Sequence, residues 1–288
     1  MSDFDFLLDR SDDLQYFTFL AALAVMLVSE RLLRFRPRSP DDPQRWRTNA
    51  ALTGITIVSL GVVPVSFITA GLWAESADVG LLNYVTFPDW MAVAVTLVLR
   101  GGISTATHWL NHKLPWLWRL HRVHHLDTQL DVSSTVRFHP FEMPVNALLG
   151  VPIVIALGLS PWVLALYELL DIVVTLFSHS NVRLPRWLNR WLCYVIVTPN
   201  LHRVHHSTNK PETDSNFSAV FPVWDLLIGT LRTETRVPQR EMLLGLEELR
   251  GPAANRLWPL LVSPFYKDLA RYNDESRDFG ARRLAREE

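Results

Sequence analysis

The chain has 288 residues, 49% of them apolar, with a formal net charge of −1; no global charge imbalance points to nucleic acid, and soluble domains are seldom this apolar. Its single cysteine, Cys193, excludes an intramolecular disulfide and any cysteine-built zinc or iron–sulfur site. Metal chemistry, where present, therefore falls to His, Asp and Glu.

The N-terminus carries Asp3, Asp5, Asp9, Asp12 and Asp13, the reverse of a secretory leader, and the apolar run behind it lacks an Ala-x-Ala exit. Residues 14–33, ending on Glu30 and Arg31, are thus expected to form a retained membrane span. A basic loop follows with Arg31, Arg34, Arg36, Arg38, Arg45 and Arg47. Residues 50–73 contain no charged side chain and predict the clearest span. A third begins near Trp90, runs to about Gly101 and continues as helix into His108. Residues 144–157 and 162–177 are apolar stretches separated by Gly158-Leu159-Ser160-Pro161, the signature of a tight hairpin or a re-entrant pair. The expected fold is all-α: a multi-pass membrane bundle of about four spans with a cytoplasmic, histidine-rich helical cap. Residues 1–98 supply the N-terminal helices and basic loop, 99–232 a catalytic region, and 233–288 a charged cytoplasmic segment whose last residues, 275–288, read as a solvated tail.

Basic residues in short loops mark the cytoplasmic side. By that rule the arginine-rich loop is cytoplasmic, and the acidic N-terminus and the loop with Glu75, Asp78 and Asp89 lie opposite. Lys113, Arg119, Arg122 and His179 then return to the cytoplasm, so all ten histidines share one face. Many of the eleven tryptophans, including Trp73, Trp90, Trp109, Trp116, Trp118, Trp162, Trp187 and Trp191, fall near span ends, where an amphipathic ring is favoured.

The histidines occur as His108 and His112; His121, His124 and His125; His139; His179; and His202, His205 and His206. Leu-His-Arg-Val-His-His at 120–125 recurs letter for letter at 201–206, so two similar helices are expected to face each other. Positions i, i+3 and i+4 share one helical face, so each box aims its imidazoles into one volume. The adjacent pair in each triplet diverges by about a hundred degrees, which suits two ions better than one. Pro115 before the first triplet, and Thr198-Pro199 before the second, read as helix starts that place each triplet in its helix's first turns. Imidazole serves Zn, Cu and Fe alike, but nine or ten donors exceed what one zinc uses.

The order H-x-x-x-H, H-x-x-H-H, Phe138-His139-Pro140, Ser178-His179, H-x-x-H-H and Trp224-Asp225-x-x-x-Gly229-Thr230 resembles the sterol desaturase and fatty acid hydroxylase superfamily of integral membrane di-iron oxygenases, over about residues 99–232. The resemblance implies that His108, His112, His121, His124, His125, His179, His202, His205 and His206 bind two irons, with zinc as a possible substitute. It also implies O2 as co-substrate, a sterol, fatty acyl or alkylglycerol lipid as substrate, and electrons from a separate redox partner. Asn216-Phe217-Ser218 departs from the Asn-Tyr-Gly often found in that family, which leaves the substrate side open.

His139 stands alone, as a tenth ligand, an outer hydrogen-bond partner or a loop cap. Glu142, Asp214, Asn216 and Asp225 are candidate acceptors for the outer N–H of ligating imidazoles. Glu168 and Asp171 interrupt a membrane stretch on a stripe leading to His179, and together with Asn216 they are the non-histidine catalytic candidates. The reading is an O2-dependent enzyme that hydroxylates or desaturates a lipid C–H bond. Its alternatives are a non-enzymatic metal or electron-transfer protein of the membrane, or a two-zinc hydrolase, although such hydrolases usually mix carboxylates into the ligand set.

Overall fold

A computed structural model describes residues 5–62 and 66–269. The helices are α1 (Asp5–Asp9), α2 (Ser11–Leu32), α3 (Asp42–Val62), α4 (Phe67–Ser76), α5 (Asp89–Lys113), α6 (Pro115–His125), α7 (Glu142–Leu157), α8 (Pro161–His179), α9 (Arg186–Leu192), α10 (Pro199–His205), α11 (Lys210–Thr213), α12 (Val223–Ile228) and α13 (Leu257–Val262). Among the described residues β-structure is limited to two isolated bridges, Arg34 with Val182 and Ser207 with Leu244. The all-helical expectation holds, and residues 275–288, expected as a tail, lie outside the described residues.

Four stretches are long and apolar enough to cross a membrane: α2, Asp42–Tyr84, α5 and α8. The second expected span is shared between α3 and α4. Helix α7 has 16 residues, about 24 Å, and falls short of a bilayer crossing. The distribution of side chains is inverted relative to a water-soluble bundle. Helix α2 exposes Tyr16, Phe17, Leu20, Val25, Leu27, Val28 and Leu32 and buries Glu30 alone. Helix α3 exposes Ile55, Ile57, Val58, Leu60 and Val62 while burying Arg45, Thr48, Asn49 and Thr56. Apolar rows outside and polar groups inside suit a hydrocarbon surrounding.

The expected α7–α8 turn forms because Gly158, at φ +66°, closes α7 and donates its N–H to the Val154 and Ile155 carbonyls, and Pro161 then begins α8. Helix α4 packs across both arms of this hairpin, and α2 lies along α8. Cys193 is buried with Tyr167, Val174, Val197, Leu201 and Val220, as an ordinary packing residue.

Two of the loop arginines are internal groups. Arg36 donates to the carbonyls of Gln239 and Met242. Arg45 is buried between Asp127 and Asp131, with its Nη1 2.9 Å from Asp127 Oδ2. Beyond residue 232 the chain continues as structure: Leu249, Ala254, Leu260 and Leu269 share a core with Leu52, Val123 and Leu126, strapping the C-terminal segment over α6.

Candidate metal centre

Helices α5 and α8 bring His108, His112 and His179 to the same end of the bundle on their C-terminal turns. Helices α6 and α10 lie across that end. Pro115 and Pro199 occupy the first turns as expected, and the Thr198 side chain accepts the Leu201 N–H at 3.3 Å. The triplets themselves, however, sit in the last turns: α6 ends at His125, and His206 is the C-cap of α10. Each helix needs a lead-in turn before it reaches the cluster, and the chain then bends away.

Nine histidines fall into two groups. His108, His112, His121, His125 and His205 form one, and His124, His179, His202 and His206 the other, with the candidate ligand atoms within 4.8 Å of one another in each. The two triplets interleave: the His125 and His206 rings stack at 4.6 Å, and His124 meets His206 at 4.6 Å. In each triplet the i and i+4 imidazoles join one group and the i+3 imidazole crosses to the other, so the divergence of adjacent positions is used twice.

The ring nitrogens state what the groups can hold. His108 Nδ1 lies 2.7 Å from the Phe217 carbonyl, and His121 Nδ1 lies 2.6 Å from Glu142 Oε1. Carbonyl and carboxylate oxygens only accept, so both Nδ1 atoms carry the proton and both Nε2 atoms present lone pairs. Those two Nε2 atoms face each other at 3.0 Å. The second group repeats the arrangement. Nδ1 of His124 and of His179 donate to the carbonyls of Arg137 and Thr175, and their Nε2 atoms are 3.1 Å apart. Opposed lone pairs at this distance require a cation between or beside them. Two ligands at right angles on an ion with bonds of about 2.1 Å stand about 3.0 Å apart, and a tetrahedral pair about 3.4 Å. His202 to His179 at 2.9 Å and His125 to His121 at 3.1 Å follow the right-angle spacing. The donor set therefore offers two groups of imidazole nitrogens, each of which could hold a metal ion.

Burial keeps these imidazoles neutral and ready to bind metal. His124, His125, His202 and His206 are all pushed well below the ordinary value, first by burial and then by neighbouring imidazoles, and burial drives His205 down to about 3.

Of the other expected site residues, Glu142 alone makes a direct hydrogen bond to a clustered imidazole. Asp214 Oδ1 stands 3.5 Å from His112 Nδ1, while its Oδ2 accepts from Lys113 and Lys210 at 3.0 Å. Asp225 and Asn216 act one step removed. Asp225 accepts the N–H groups of Phe217 and Ser218, both at 2.8 Å, and so sets the carbonyl that orients His108. Asn216, in the left-handed region at φ +54°, donates to the Leu201 and Arg232 carbonyls and stitches that strap to α10. His139 joins neither group. Its Nε2 donates to the Leu261 carbonyl at 3.2 Å and its Nδ1 accepts the Phe141 N–H at 3.3 Å, so both ring nitrogens serve the loop. Glu168 pairs with Arg100 at 3.1 Å, and Asp171 lines a cavity shared with the histidines.

Sequence reasoning missed the arginines that hold the boxes in place. Arg122 donates to the carbonyls of Ser263 and Tyr266, and Arg203 reaches Gln239 Oε1 at 3.0 Å with its guanidinium over Phe35. Their shared place in the repeated Leu-His-Arg-Val-His-His was the available signal: the letters between the histidines recur because they dock the opposite helical face. Arg137 is fully buried and donates to Val123 O, Asn49 Oδ1 and Ala254 O, while its own carbonyl accepts from His124. Burial draws this arginine down to about 10.

On its bundle side the cluster opens into a cavity of about 200 Å³ lined by His108, His121, His124, His179 and His202 together with Phe67, Phe138, Met143 and Ala219. The imidazole groups thus meet a cavity that combines these apolar side chains with polar ones such as Ser104, Asn146, Asp171 and Thr175.

Residues 93–230 match the fatty acid hydroxylase family. An ornithine lipid hydroxylase of Rhizobium tropici is 28% identical over 62% of this chain and 53% of its own length. Human cholesterol 25-hydroxylase is 29% identical over 46% of this chain and 48% of its own length. Human alkylglycerol monooxygenase is 25% identical over 75% of this chain and 46% of its own length. The chain spans about half the length of these curated relatives. No solved structure gives a significant match. The histidine boxes of 108–206 lie inside the matched region, so it is this part of the chain that resembles the fatty acid hydroxylase family and the lipid hydroxylases.

Proposed function

We propose that this protein is a di-iron membrane monooxygenase that hydroxylates a C–H bond of a lipid. The observation that carries the reading is the pair of imidazole groups, four of whose lone pairs are opposed at 3.0 and 3.1 Å, beside a cavity with an apolar wall. His108, His112, His121, His125 and His205 would hold one iron, and His124, His179, His202 and His206 the other. Iron in this pair supplies the reduction of O2 that redox-inert zinc lacks, although imidazole sites bind either metal as availability dictates. The balance is C–H plus O2, two electrons and two protons giving C–OH and water, with the electrons from a separate carrier.

The chain's own residues perform the rest. Glu142, and the carbonyls of Phe217, Arg137, Thr175 and Ser215, hold the tautomers of five of the nine rings, so that His108, His121, His124, His179 and His205 present Nε2 lone pairs before metal arrives. Phe138 stacks on His124 at 4.9 Å and keeps water from that side of the ring. The apolar wall formed by Phe67, Met143 and Ala219 receives alkyl substrate and excludes bulk solvent. The relatives are named as hydroxylases or monooxygenases, which favours hydroxylation over desaturation. The histidine end faces the cytoplasm in this reading, where a soluble or membrane-bound reductant reaches it.

The test compares lipid extracts by mass spectrometry from cells expressing the protein or its His205→Ala variant, alongside metal analysis of both purified proteins. A lipid gaining one oxygen only with the unaltered protein, and two irons or zincs per chain, is the expected result. Equal lipid profiles, or no bound metal in the unaltered protein, refute the reading.

A further inference from the structure

Three helices carry polar residues from the histidine end into the apolar bundle along single stripes. On α5 these are Arg100, Ser104 and His108; on α8, Asp171, Thr175 and His179; on α7, Glu142 and Asn146. Members of each stripe are spaced by four residues and so stack on one face. All of them line the same cavity. Eight residues separate the first and last members on α5 and on α8, so the inner end lies about 12 Å from the histidine rows.

That inner end is built but incomplete. Arg100 is buried under 6% exposed side-chain area, paired with Glu168 at 3.1 Å and hydrogen-bonded to Ser104 at 2.6 Å, with Phe67 and Tyr167 rings 4.0 and 4.7 Å from its guanidinium carbon. Its charge is therefore answered by Glu168. Asp171 Oδ1 and Asn146 Oδ1 are both buried with no hydrogen-bond partner. Two unfilled acceptors lining one cavity are unfavourable unless a donor arrives. The hydroxyls nearby are not hydrogen-bonded to them: Ser104 is paired with Arg100, Thr175 donates back to the Asp171 carbonyl at 2.6 Å, and the buried Tyr167 hydroxyl reaches neither oxygen. A carboxylate only accepts, and a protonated carboxyl keeps an acceptor oxygen beside its own O–H, so Asp171 offers an acceptor in either state.

We propose that Asp171 and Asn146 form a specificity subsite that receives the hydroxyl or N–H of the lipid substrate and holds it about two helical turns from the metals. The proposal deepens the lipid-hydroxylase reading and rests on it for the identity of the cavity as the substrate site. Its consequence is regiochemical: the oxidised carbon is remote from the donor group and never adjacent to it. A lipid of the same length without a donor leaves both oxygens unpaired and is rejected.

The experiment uses the full chain loaded with zinc in detergent, so that binding is read without turnover. Native mass spectrometry measures retention of oleyl alcohol against oleyl methyl ether, which differ by the single O–H donor. The unaltered protein is expected to bind the alcohol about tenfold more tightly. Asp171→Leu and Asn146→Leu should each bring the ratio within about twofold, and Asp171→Asn, which keeps an acceptor oxygen, should retain most of it. Two bound zincs per chain verify folding of each variant, and should Asp171→Leu fail that check, Asn146→Leu and the unaltered protein decide. No preference for the alcohol in the zinc-loaded unaltered protein, or a preference that survives the leucine variants, overturns the subsite. The ratio is independent of catalysis: a preference lost in the variants supports the subsite even where no lipid gains oxygen, and a lipid gaining oxygen without any such preference leaves the oxygenase and removes the subsite.

Discussion

His121 and His202 occupy the same place in the repeat and serve opposite groups: His121 joins His125 and receives His205 from the other triplet, while His202 joins His206 and receives His124. Each i+3 histidine thus crosses to the other group, so replacing it depletes the group opposite its own pair. His124→Ala and His205→Ala are each expected to lower bound metal from two ions toward one and to abolish turnover; metal analysis beside a product assay checks both. His139→Ala, by contrast, should keep two ions, since that ring is spent on the loop between Phe141 and Leu261. Glu142→Gln exchanges an obligate acceptor for a group that can rotate, and should weaken metal binding about 10- to 100-fold, read by competition with a chelator. The buried imidazoles also set an acid limit. Because the folded chain refuses protons that an unfolded histidine accepts below the ordinary 6.5, stability of the metal-free protein should fall as pH drops from that value toward the folded value of about 3 for His205. A melting temperature flat between pH 7 and 5 would count against the buried, neutral cluster.

The helices succeed through their ends. Helices α6 and α10 are short, and neither would be stable alone in water. Proline at the first position and the Thr198 cap start them, and Arg122, Arg203 and the C-terminal strap hold the far face. Helix pairs elsewhere meet through glycine. At Gly80, φ is +108° and an added Cβ would lie 2.4 Å from the Gly158 Cα, backbone against backbone at the α7–α8 turn. Gly80→Ala is expected to cost on the order of 3 kcal/mol, through strain and the forced separation of that contact. Gly54→Ala, in a helix with nothing within 4 Å of the new Cβ, should be neutral or stabilising by up to about 1 kcal/mol. Thermal denaturation of the two variants in the same detergent distinguishes these outcomes.

Taken as one body, the described residues form an inverted bundle whose polar interior connects the cavity between α5, α7 and α8 to the end that carries the histidine groups. The arginine-rich loop was counted as free positive charge in reading its sidedness, yet Arg36 and Arg45 are internal donors, leaving Arg31, Arg34, Arg38 and Arg47 exposed. The exposed residues still outnumber the basic groups of the acidic 75–89 loop, so the expected orientation stands as a prediction. In a Cys193→Ser background, Arg38→Cys should react with an impermeant maleimide only after the cytoplasmic face is opened, and Asp78→Cys should react on intact cells. The reverse pattern would place the histidine end outside.

Span positions, the α7–α8 turn and the histidine donor set were legible in the amino-acid order because each depends on neighbours: apolar run length, a Gly-x-Ser-Pro break, and imidazoles at helical spacing. The absence of carboxylates from the boxes was equally visible. What the chain order left undecided was every relation between distant segments. The division of nine histidines into a group of five and a group of four, the choice of Glu142 over Asn216 and Asp225 as direct hydrogen-bond partner, the removal of His139 from the cluster, and the docking roles of Arg45, Arg122, Arg137 and Arg203 all follow from which faces of separate helices meet. Periodicity tells which residues share a face; only packing tells what that face is turned toward.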